Sequence, residues 1–315
     1  MSTVRLVAGV GPPEALAVGL GGGSEGPAME GTEVARRRSA PDIHSAHCDG
    51  AQGDNILIGK NGAGDLPVDS RPALLVSYYY LDGFLRERAR YRYRDWALDS
   101  GAFSAHNSGV TISLDDYIAK AKELLAGDPT LSEVFSLDVI GDWKASAANC
   151  EAMWKAGIPA IPCYHSGEPE EVLVEMARCY PKIALGGVAR KPGRFKMRFA
   201  QQAFARVWPK EVHGFGYGTE EAVMTLPFHS VDASNWELGP CAFGRWAAFG
   251  KMSVRGSKQN LRAEVEHYLR IERKARKRWT AEMSVLGAQR ERTGAASPVL
   301  RLAVCSTGRE TGSLQ

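Results

Sequence analysis

The 315-residue chain lacks several features that define large classes of proteins. Its six cysteines stand singly, without a CxxC pair or the dense cysteine framework of small secreted domains. No uninterrupted apolar run approaches the roughly 20 residues that a membrane-spanning helix needs. The formal net charge is only +3, so charge alone neither demands nor excludes a polyanionic partner. We therefore expect a cytoplasmic protein that does not enter a membrane.

Sustained hydrophobic periodicity is missing from both ends of the chain. Residues 1 to 70 are rich in glycine and polar residues, and residues 286 to 315 return to a similar composition. Such segments cannot bury enough apolar surface to offset the entropy that folding costs. We expect both ends to be disordered and the folded part to span residues 71 to 285.

From Pro72 onward, short apolar runs typical of β-strands alternate with helical patterns, which indicates βα units around a parallel sheet. A doubly wound sheet is the alternative, but eight short units favour a single (β/α)8 barrel of the TIM type, followed by a long basic helix. The predicted strands cover residues 74–80, 95–100, 134–140, 158–165, 182–188, 211–218, 229–234 and, weakly, 241–249.

Polar residues follow most of the predicted strands, at the ends where barrel enzymes carry their active sites. Asp99, Asp138 and Asp232 end the second, third and seventh strands. A single Asp at such a position is often a helix N-cap or turn residue, but three converging carboxylates suit chemistry at a sugar anomeric carbon. Glycines at other strand ends would leave room for a planar base. The further candidates at this mouth are Ser100, Gly101, Phe103, His165, Gly186, Gly187, Gly214 and Gly216.

Five short segments lie at the predicted strand ends. They are LDSGAF at 98–103, SLDV at 136–139, ALGGV at 184–188, HGFGYGTEE at 213–221 and SVDAS at 230–234. They occur in the order found in tRNA-guanine transglycosylases. The chain resembles still more closely the phage and bacterial relatives of these enzymes that insert 7-deazaguanine bases into DNA, and the resemblance covers about residues 74 to 240.

The resemblance implies a base exchange. Guanine leaves its sugar, a carboxylate-bound sugar intermediate forms, and a 7-deazaguanine base such as preQ0 takes the place of guanine. By position in the motifs, Asp99 is implied to be the acid/base group and Asp138 to read the purine. Gly186 and Gly187 are implied to contact the edge of the base through their backbone.

The chain departs from the tRNA enzymes at two points. Those enzymes carry a second Asp where this chain has Asn235, an amide that cannot act as nucleophile, so the resemblance leaves this role to Asp232. The CxCxxC…His zinc site that follows their barrel has no counterpart here. We therefore expect no metal and no cofactor, and DNA rather than tRNA as the polymer. The alternatives are a tRNA-guanine transglycosylase, a catalytically silent nucleic-acid-binding barrel, and a glycosidase or nucleoside hydrolase acting on small molecules.

The helix after the barrel is the candidate contact for nucleic acid. Residues 270 to 278 carry six basic residues and one acidic residue, enough to contact several phosphates in a salt-dependent way. A solvated helix face is the simpler interpretation of the same pattern. Accessory DNA-modification proteins would be further partners of such an enzyme. The predicted contacts with nucleic acid are Arg270, Arg273, Lys274, Arg276, Lys277 and Arg278.

Overall fold

The computed structural model describes residues 3–8, 71–90, 92–249 and 261–293. Within these ranges the chain forms eight β-strands and nine α-helices, and none of these helices is long and apolar enough to span a bilayer. The strands are β1 (Thr3–Ala8), β2 (Ala73–Ser77), β3 (Trp96–Asp99), β4 (Leu131–Val134), β5 (Cys163–His165), β6 (Lys182–Gly186), β7 (Glu211–Gly214) and β8 (Ser230–Ala233). The helices are α1 (Leu81–Glu87), α2 (Ala102–Asn107), α3 (Leu114–Gly127), α4 (Trp143–Lys155), α5 (Glu170–Cys179), α6 (Gly193–Val207), α7 (Glu220–Thr225), α8 (Asn235–Phe243) and α9 (Arg262–Thr293).

The strands form one curled, fully parallel sheet in the order β4-β3-β2-β1-β8-β7-β6-β5. The two edges approach each other at one parallel bridge between Phe135 and Ile161. At this point the Ser136 N–H donates to the Ile161 carbonyl and the Ile161 N–H to the Val134 carbonyl, both at 2.9 Å. The predicted α/β class with eight parallel strands is confirmed. Closure into a full barrel stays a prediction, because β4 and β5 share this bridge and no ladder within the described ranges.

Two predicted strands do not lie where the sequence places them. β4 ends at Val134, the first residue of the predicted strand 134–140, so Asp138 follows β4 by four residues instead of ending it. The segment 241–249 contains the end of α8 and turns, whereas the remaining strand, β1, comes from Thr3–Ala8 and pairs with both β2 and β8. The predicted disorder of residues 1 to 70 is therefore wrong for residues 3–8, and residues 9–70 lie outside the described ranges. The signal was weak because β1 is six residues long, carries a charged Arg5 at its centre and is followed by glycine-rich sequence.

The helices largely follow the sequence pattern. Ser113 caps α3 by accepting the Asp116 N–H at 3.3 Å, and Thr219 caps α7 by accepting the Ala222 N–H at 3.3 Å. The last helix continues to Thr293, past residue 285, where the folded part was predicted to end. Its final turns consist mostly of good helix formers such as Ala, Glu, Met, Gln and Arg. Residues 294–315 lie outside the described ranges.

Because side chains alternate along each strand, one face of the sheet packs against the helices and the other faces into the curl. The helix-facing side includes the buried Trp96, Leu98 and Ile183, which belong to the main hydrophobic core. The inner side carries a separate, smaller apolar cluster, so both faces of the sheet are filled. This inner cluster consists of Leu75, Ala97, Phe135, Ile161, Cys163 and Ala184, with Phe215 packed against it.

At the amino ends of the strands, the interior of the curl is closed by paired charges. The buried Arg5 guanidinium donates to Asp95 Oδ1 at 2.7 Å and to Glu133 Oε2 at 3.0 Å. Lys182 pairs with Glu133 and also donates to Ser230 Oγ at 3.3 Å. Burial alone would raise the pKa values of Asp95 and Glu133, but Arg5 and its neighbours hold them below their usual range. The ion pairs therefore connect β1, β4, β6 and β8 through their side chains.

Replacing Arg5 with Ala should destabilise the fold strongly, because it leaves two partly buried carboxylates without their main partner. We expect a loss of about 3–5 kcal/mol in the free energy of unfolding, measured by urea denaturation. The matched control is Arg206→Ala, which removes an exposed ion pair to Glu170 at 2.9 Å and should cost less than about 1 kcal/mol. Equal losses in the two variants would contradict this account of β1.

Candidate active site

The three predicted carboxylates lie at the carboxyl ends of the strands, on positions that face into the curl. Asp99 is the last residue of β3, Asp232 lies in β8, and Asp138 follows β4. The charges of Asp138 and Asp232 both raise the pKa of Asp99, so the three side chains share one electrostatic environment. The structure therefore brings them together, as the sequence predicts for strand ends of a parallel sheet.

Asp99 is held by a tight glycine turn at the start of α2. Its Oδ2 accepts the Gly101 N–H at 3.1 Å, and Gly101 has φ +73°, where a Cβ would lie 2.7 Å from the Tyr79 nitrogen. Burial raises the pKa of Asp99 to about 7, partly opposed by the Gly101 N–H. The buried Ser100 completes the turn by accepting the Ala102 N–H at 3.4 Å. A carboxyl group with this pKa both gives and takes a proton near neutral pH.

Phe103 lies on α2 and is 48% exposed, so it does not form part of the packed interior. Its predicted contact with substrate stays a prediction.

Asp232 ionises at a lower pH than Asp99. Its Oδ1 accepts the N–H of Gly216, which has φ +76°, at 2.6 Å. Burial raises the pKa of Asp232 to about 6, while the Gly216 N–H and the nearby Lys196 ammonium lower it. Asn235 is exposed at the first position of α8, away from this interior position. The geometry therefore favours position 232 over position 235 for an attacking carboxylate.

A buried histidine that the sequence analysis did not single out lies beneath Asp232. His213 Nδ1 is 2.8 Å from Ser230 Oγ, and its Nε2 is 3.9 Å from Asp232 Oδ1. Lys182 also donates to Ser230 Oγ, and His213 Nε2 has no hydrogen-bond partner among the described residues. Burial lowers the pKa of His213 well below its usual value, so the ring is neutral. In the sequence, the one indication of this position was that His213 lies two residues after Glu211 and so on the same face of the predicted strand.

The Asp138 carboxylate is positioned by a histidine held between two acids. His165 Nε2 lies 3.3 Å from Asp138 Oδ2, and His165 Nδ1 lies 3.0 Å from Glu168 Oε1. Cys163 and the two carboxylates raise the pKa of His165 well above its usual value, against the opposing effect of burial. The carboxylates on either side favour the charged imidazole, which holds Asp138 in its orientation. Glu168 was missed in the sequence, although it follows His165 by three residues in a turn.

The same residues include a set that could hold a metal ion. Asp138, Cys163 and His165 each place one ligand atom within 4.8 Å of the others. Oxygen, sulfur and nitrogen donors suit Zn²⁺, and metal-bound histidines commonly donate their second N–H to a carboxylate, as His165 does to Glu168. A cation and the His165–Asp138 hydrogen bond would use the same ring nitrogen, so the two arrangements are alternatives.

The second oxygen of Asp138 has no hydrogen-bond partner among the described residues. This Oδ1 is buried, and burial raises the pKa of Asp138 although His165 opposes it. Asp138 also lines a cavity of about 20 Å³ with Ser146 and Cys150, which is too small for a purine. A base would therefore have to approach Asp138 from the open end of the curl. A buried acceptor without a partner costs about 1–3 kcal/mol, which a ligand N–H would relieve.

The predicted glycines are explained mainly by close packing. A Cβ on Gly186 would lie 2.7 Å from Cys163 Sγ, and one on Gly214 would lie 2.6 Å from the Phe228 ring. The expectation that these two glycines leave open room for a ligand is therefore wrong. Gly187 has φ +68°, so it is required by the turn that leaves β6. Direct contacts of these glycines with a base stay predictions.

Phe215 is an aromatic residue at the mouth that the sequence analysis did not select. Its ring lies 4.8 Å from Phe135 and 4.5 Å from His213, measured between centroids, and it is partly exposed. It covers the inner apolar cluster directly below the carboxylates. By contrast, Tyr217 is buried and packs against Phe228 on the helix side. Phe215 is thus the aromatic surface best placed to stack against a planar ligand.

A larger cavity, of about 290 Å³, lies elsewhere. It is formed between α5 and α6 by residues that include Tyr164, Phe199 and Arg206, on the outer side of the sheet. The carboxylates do not line it, so it does not belong to the candidate active site.

The six predicted nucleic-acid contacts all lie on α9, and half of them already have partners in the protein. Lys274 pairs with Glu220 at 2.7 Å and Arg276 with Glu272 at 2.6 Å. The Arg278 guanidinium lies 4.9 Å from the centroid of the Trp279 ring. The remaining predicted contacts are exposed on the helix surface, namely Arg270, Arg273 and Lys277.

No protein-family model matches this chain, and no match is found among curated proteins. The functional assignment therefore depends on the residues and their geometry.

Replacing Asp99 with Asn should stabilise the protein at alkaline pH. The folded pKa of about 7 exceeds the ordinary 3.8, so the carboxyl group lowers the stability of the folded state progressively as pH rises toward 7 and above. Because the amide does not ionise, the free energy of unfolding should shift in favour of the variant by about 1–3 kcal/mol between pH 4 and pH 8. Urea denaturation at both pH values measures this shift.

The control is Asp115→Asn, which changes an exposed carboxylate on α3 and should show no comparable shift. A stability difference between Asp99→Asn and the wild type that does not vary with pH would contradict the assigned burial of this group.

Proposed function

We propose that this protein is a transglycosylase that replaces guanine in DNA with a 7-deazaguanine base. The observation that supports the proposal most directly is a pair of carboxylates, the buried Asp232 and the half-buried Asp99, beside a third carboxylate, Asp138. The pKa values of Asp99 and Asp232 are raised to about 7 and about 6. Such a pair supplies a proton donor and an attacking carboxylate in the same pH range. These residues also occupy the positions at which the sequence resembles the DNA-modifying relatives of tRNA-guanine transglycosylases.

In the first step, an Asp232 carboxylate oxygen attacks C1′ of the deoxyribose as the C1′–N9 bond to guanine breaks. Asp99, in its carboxylic acid form, gives its proton to the departing guanine. Asp232 is then bound covalently to the sugar, and Asp99 is ionised. The neutral His213 below Asp232 takes no part in this proton transfer, because its Nε2 lies 3.9 Å from Asp232 Oδ1, beyond hydrogen-bond distance.

In the second step, the incoming deazapurine loses its N9 proton to the Asp99 carboxylate. Its N9 then attacks C1′, and the bond between C1′ and the Asp232 oxygen breaks. The proton and electron pairs balance without a cofactor or external energy source. Two displacements at the same carbon retain the configuration of the glycosidic bond.

Recognition of the purine is assigned to Asp138 and Phe215. The unpartnered Oδ1 of Asp138 accepts an N–H from the base edge, and the His165 imidazolium keeps the carboxylate in place. Phe215 offers its ring face from below. A 7-deazaguanine such as preQ0 presents the same N–H edge as guanine, so the two bases use the same contacts.

The proposal includes closure of the sheet into a TIM-type barrel through the Phe135–Ile161 bridge. This closure would place the carboxyl ends of all eight strands around one mouth, as in other barrel enzymes. A base within duplex DNA must be extruded to reach this mouth, at a cost of a few kcal/mol, so a single-stranded or accessory-opened substrate is favoured.

The test is mass analysis of nucleosides after the protein is incubated with preQ0 and either DNA or tRNA. We expect a deazaguanine nucleoside in DNA only. Asp232→Asn should abolish incorporation, and Asp99→Asn should slow it by about 10²–10⁴-fold, because general acid–base catalysis contributes this much. Asp115→Asn, an exposed carboxylate changed in the same way, should retain the wild-type rate.

If the deazaguanine is incorporated into tRNA alone, the substrate is tRNA instead of DNA, and the proposed base-exchange reaction still holds. Incorporation at the wild-type rate by Asp232→Asn would contradict the assigned nucleophile. The absence of exchange in both polymers, with polynucleotide binding retained, would favour a binding protein without this activity.

A further inference from the structure

A second basic segment follows the carboxyl end of β6, at the end of the sheet that carries the carboxylates. It comprises residues 190–198, which lead from β6 into the first turns of α6 and are called the basic segment below. The sequence from 180 to 210 contains no Asp or Glu. The basic segment itself carries five positive side chains, Arg190, Lys191, Arg194, Lys196 and Arg198.

The charge of the basic segment is not neutralised by the protein. Arg190, Arg194 and Arg198 are exposed, and none of them forms an ion pair with another described residue. Arg194 and Arg198 are four residues apart, about 6 Å along the axis, and so project from the same side of α6. Phe195, between them in sequence, is 42% exposed and offers a ring for base stacking.

The position of these charges in α6 is unfavourable for the isolated protein. Positive side chains near a helix amino terminus oppose the helix dipole, at about 0.3–1 kcal/mol each. The neighbouring helices follow the usual rule, since α5 begins with Glu170 and Glu171 and α7 with Glu220 and Glu221. The first turn of α6 has no acidic residue. A bound polyanion would remove this cost, because its phosphates oppose both the side-chain charges and the dipole.

The basic segment reaches the active site through a short series of contacts. Lys196 Nζ donates to the Gly216 carbonyl at 3.4 Å, and the Gly216 N–H donates to Asp232 Oδ1 at 2.6 Å. The Tyr217 hydroxyl donates to the Lys196 carbonyl at 2.9 Å, which fixes the first turns of α6 against the end of β7. One residue therefore separates the basic segment from the proposed nucleophile.

The middle of α9 packs against the helix-facing side of the sheet. Glu272 Oε2 accepts the N–H of Val4, and Glu272 Oε1 pairs with Arg94, which precedes β3. Val4 is the cross-strand neighbour of Val231, but the next residue along β8, Asp232, points to the opposite face, into the curl. The sheet therefore lies between the middle of α9 and the carboxylates, and the basic residues around Glu272 are poorly placed to hold the nucleotide that undergoes reaction.

We propose that the basic segment, rather than α9, binds the phosphates of the nucleic acid strand on either side of the reacting nucleotide. This inference rests on the proposed function and adds the surface that positions its polymeric substrate. The ligand class is a single-stranded or locally opened polynucleotide, held by its backbone and therefore without strong sequence preference.

The test compares two triple variants that each remove three positive charges. One is Arg190→Gln, Arg194→Gln and Arg198→Gln in the basic segment. The other is Arg270→Gln, Arg273→Gln and Lys277→Gln in α9. Binding of a fluorescent single-stranded oligodeoxynucleotide is followed by anisotropy between about 50 and 200 mM NaCl, and thermal unfolding checks that both variants remain folded.

We expect the basic-segment variant to bind about 10–100-fold more weakly at low salt. The slope of log K against log salt should become shallower by about 2, since each lost phosphate contact on a single strand accounts for about 0.7. The α9 variant should change affinity by less than about twofold. If a triple variant unfolds, the single variants Arg194→Gln and Arg273→Gln are compared instead. The salt slope should then change by about 0.7 for Arg194→Gln and stay unchanged for Arg273→Gln.

An α9 variant that loses as much affinity as the basic-segment variant would overturn the inference. So would an unchanged salt slope in the basic-segment variant, or a wild-type protein that does not bind the oligonucleotide. Binding is measured without the deazapurine and does not require base exchange. Loss of affinity confined to the basic-segment variant, in a protein that exchanges no base, would therefore sustain this surface and refute the proposed function.

Discussion

Desolvation of carboxylates at one end of the sheet is the constraint that organises this molecule. Asp99 and Asp232 face into the curl, where burial raises their pKa values to about 7 and about 6. The main groups that offset the free-energy cost of desolvating these carboxylates are the backbone N–H groups of Gly101 and Gly216. Both glycines have a positive φ, a left-handed conformation that favours glycine. The local sequence at these strand ends is therefore determined by the need to hold partly desolvated acids in place.

The two ends of the sheet differ in how their charged side chains are paired. At the amino ends, Arg5 and Lys182 pair with Asp95 and Glu133, so buried ions of opposite sign stabilise the fold. At the carboxyl ends, acids lie near other acids, and their mutual repulsion is left in place. Such destabilised sites are common where function requires reactive groups, with the necessary stability supplied elsewhere in the structure. The two ends are nevertheless close along β8, where Arg5 is the cross-strand neighbour of Asp232 and Lys182 is connected to His213 through Ser230 Oγ.

The sequence predicted the strand ends at Asp99 and Asp232 well, because short apolar runs followed by Asp are local patterns, but it placed Asp138 at the end of β4, which ends at Val134. It failed where the determining contact is distant in sequence. β1 was missed because its role depends on pairing with β2 and β8, and because a buried Arg5 is accommodated in a strand only by its ion pairs with the distant Asp95 and Glu133. His213 is a similar case, since its neutral state follows from burial among residues of several strands. Gly186 is required by close packing against Cys163 on the neighbouring strand, a contact that the local sequence Gly-Gly does not predict.

The most direct measurement is identification of the residue that becomes attached to the sugar. The protein would be incubated with a guanine-containing oligodeoxynucleotide without a replacement base, denatured and digested, and its peptides analysed by mass spectrometry. A peptide carrying the deoxyribose adduct on Asp232, absent from Asp232→Asn protein, is the result that this account predicts. An adduct on another residue, or release of guanine without any covalent adduct, would contradict it.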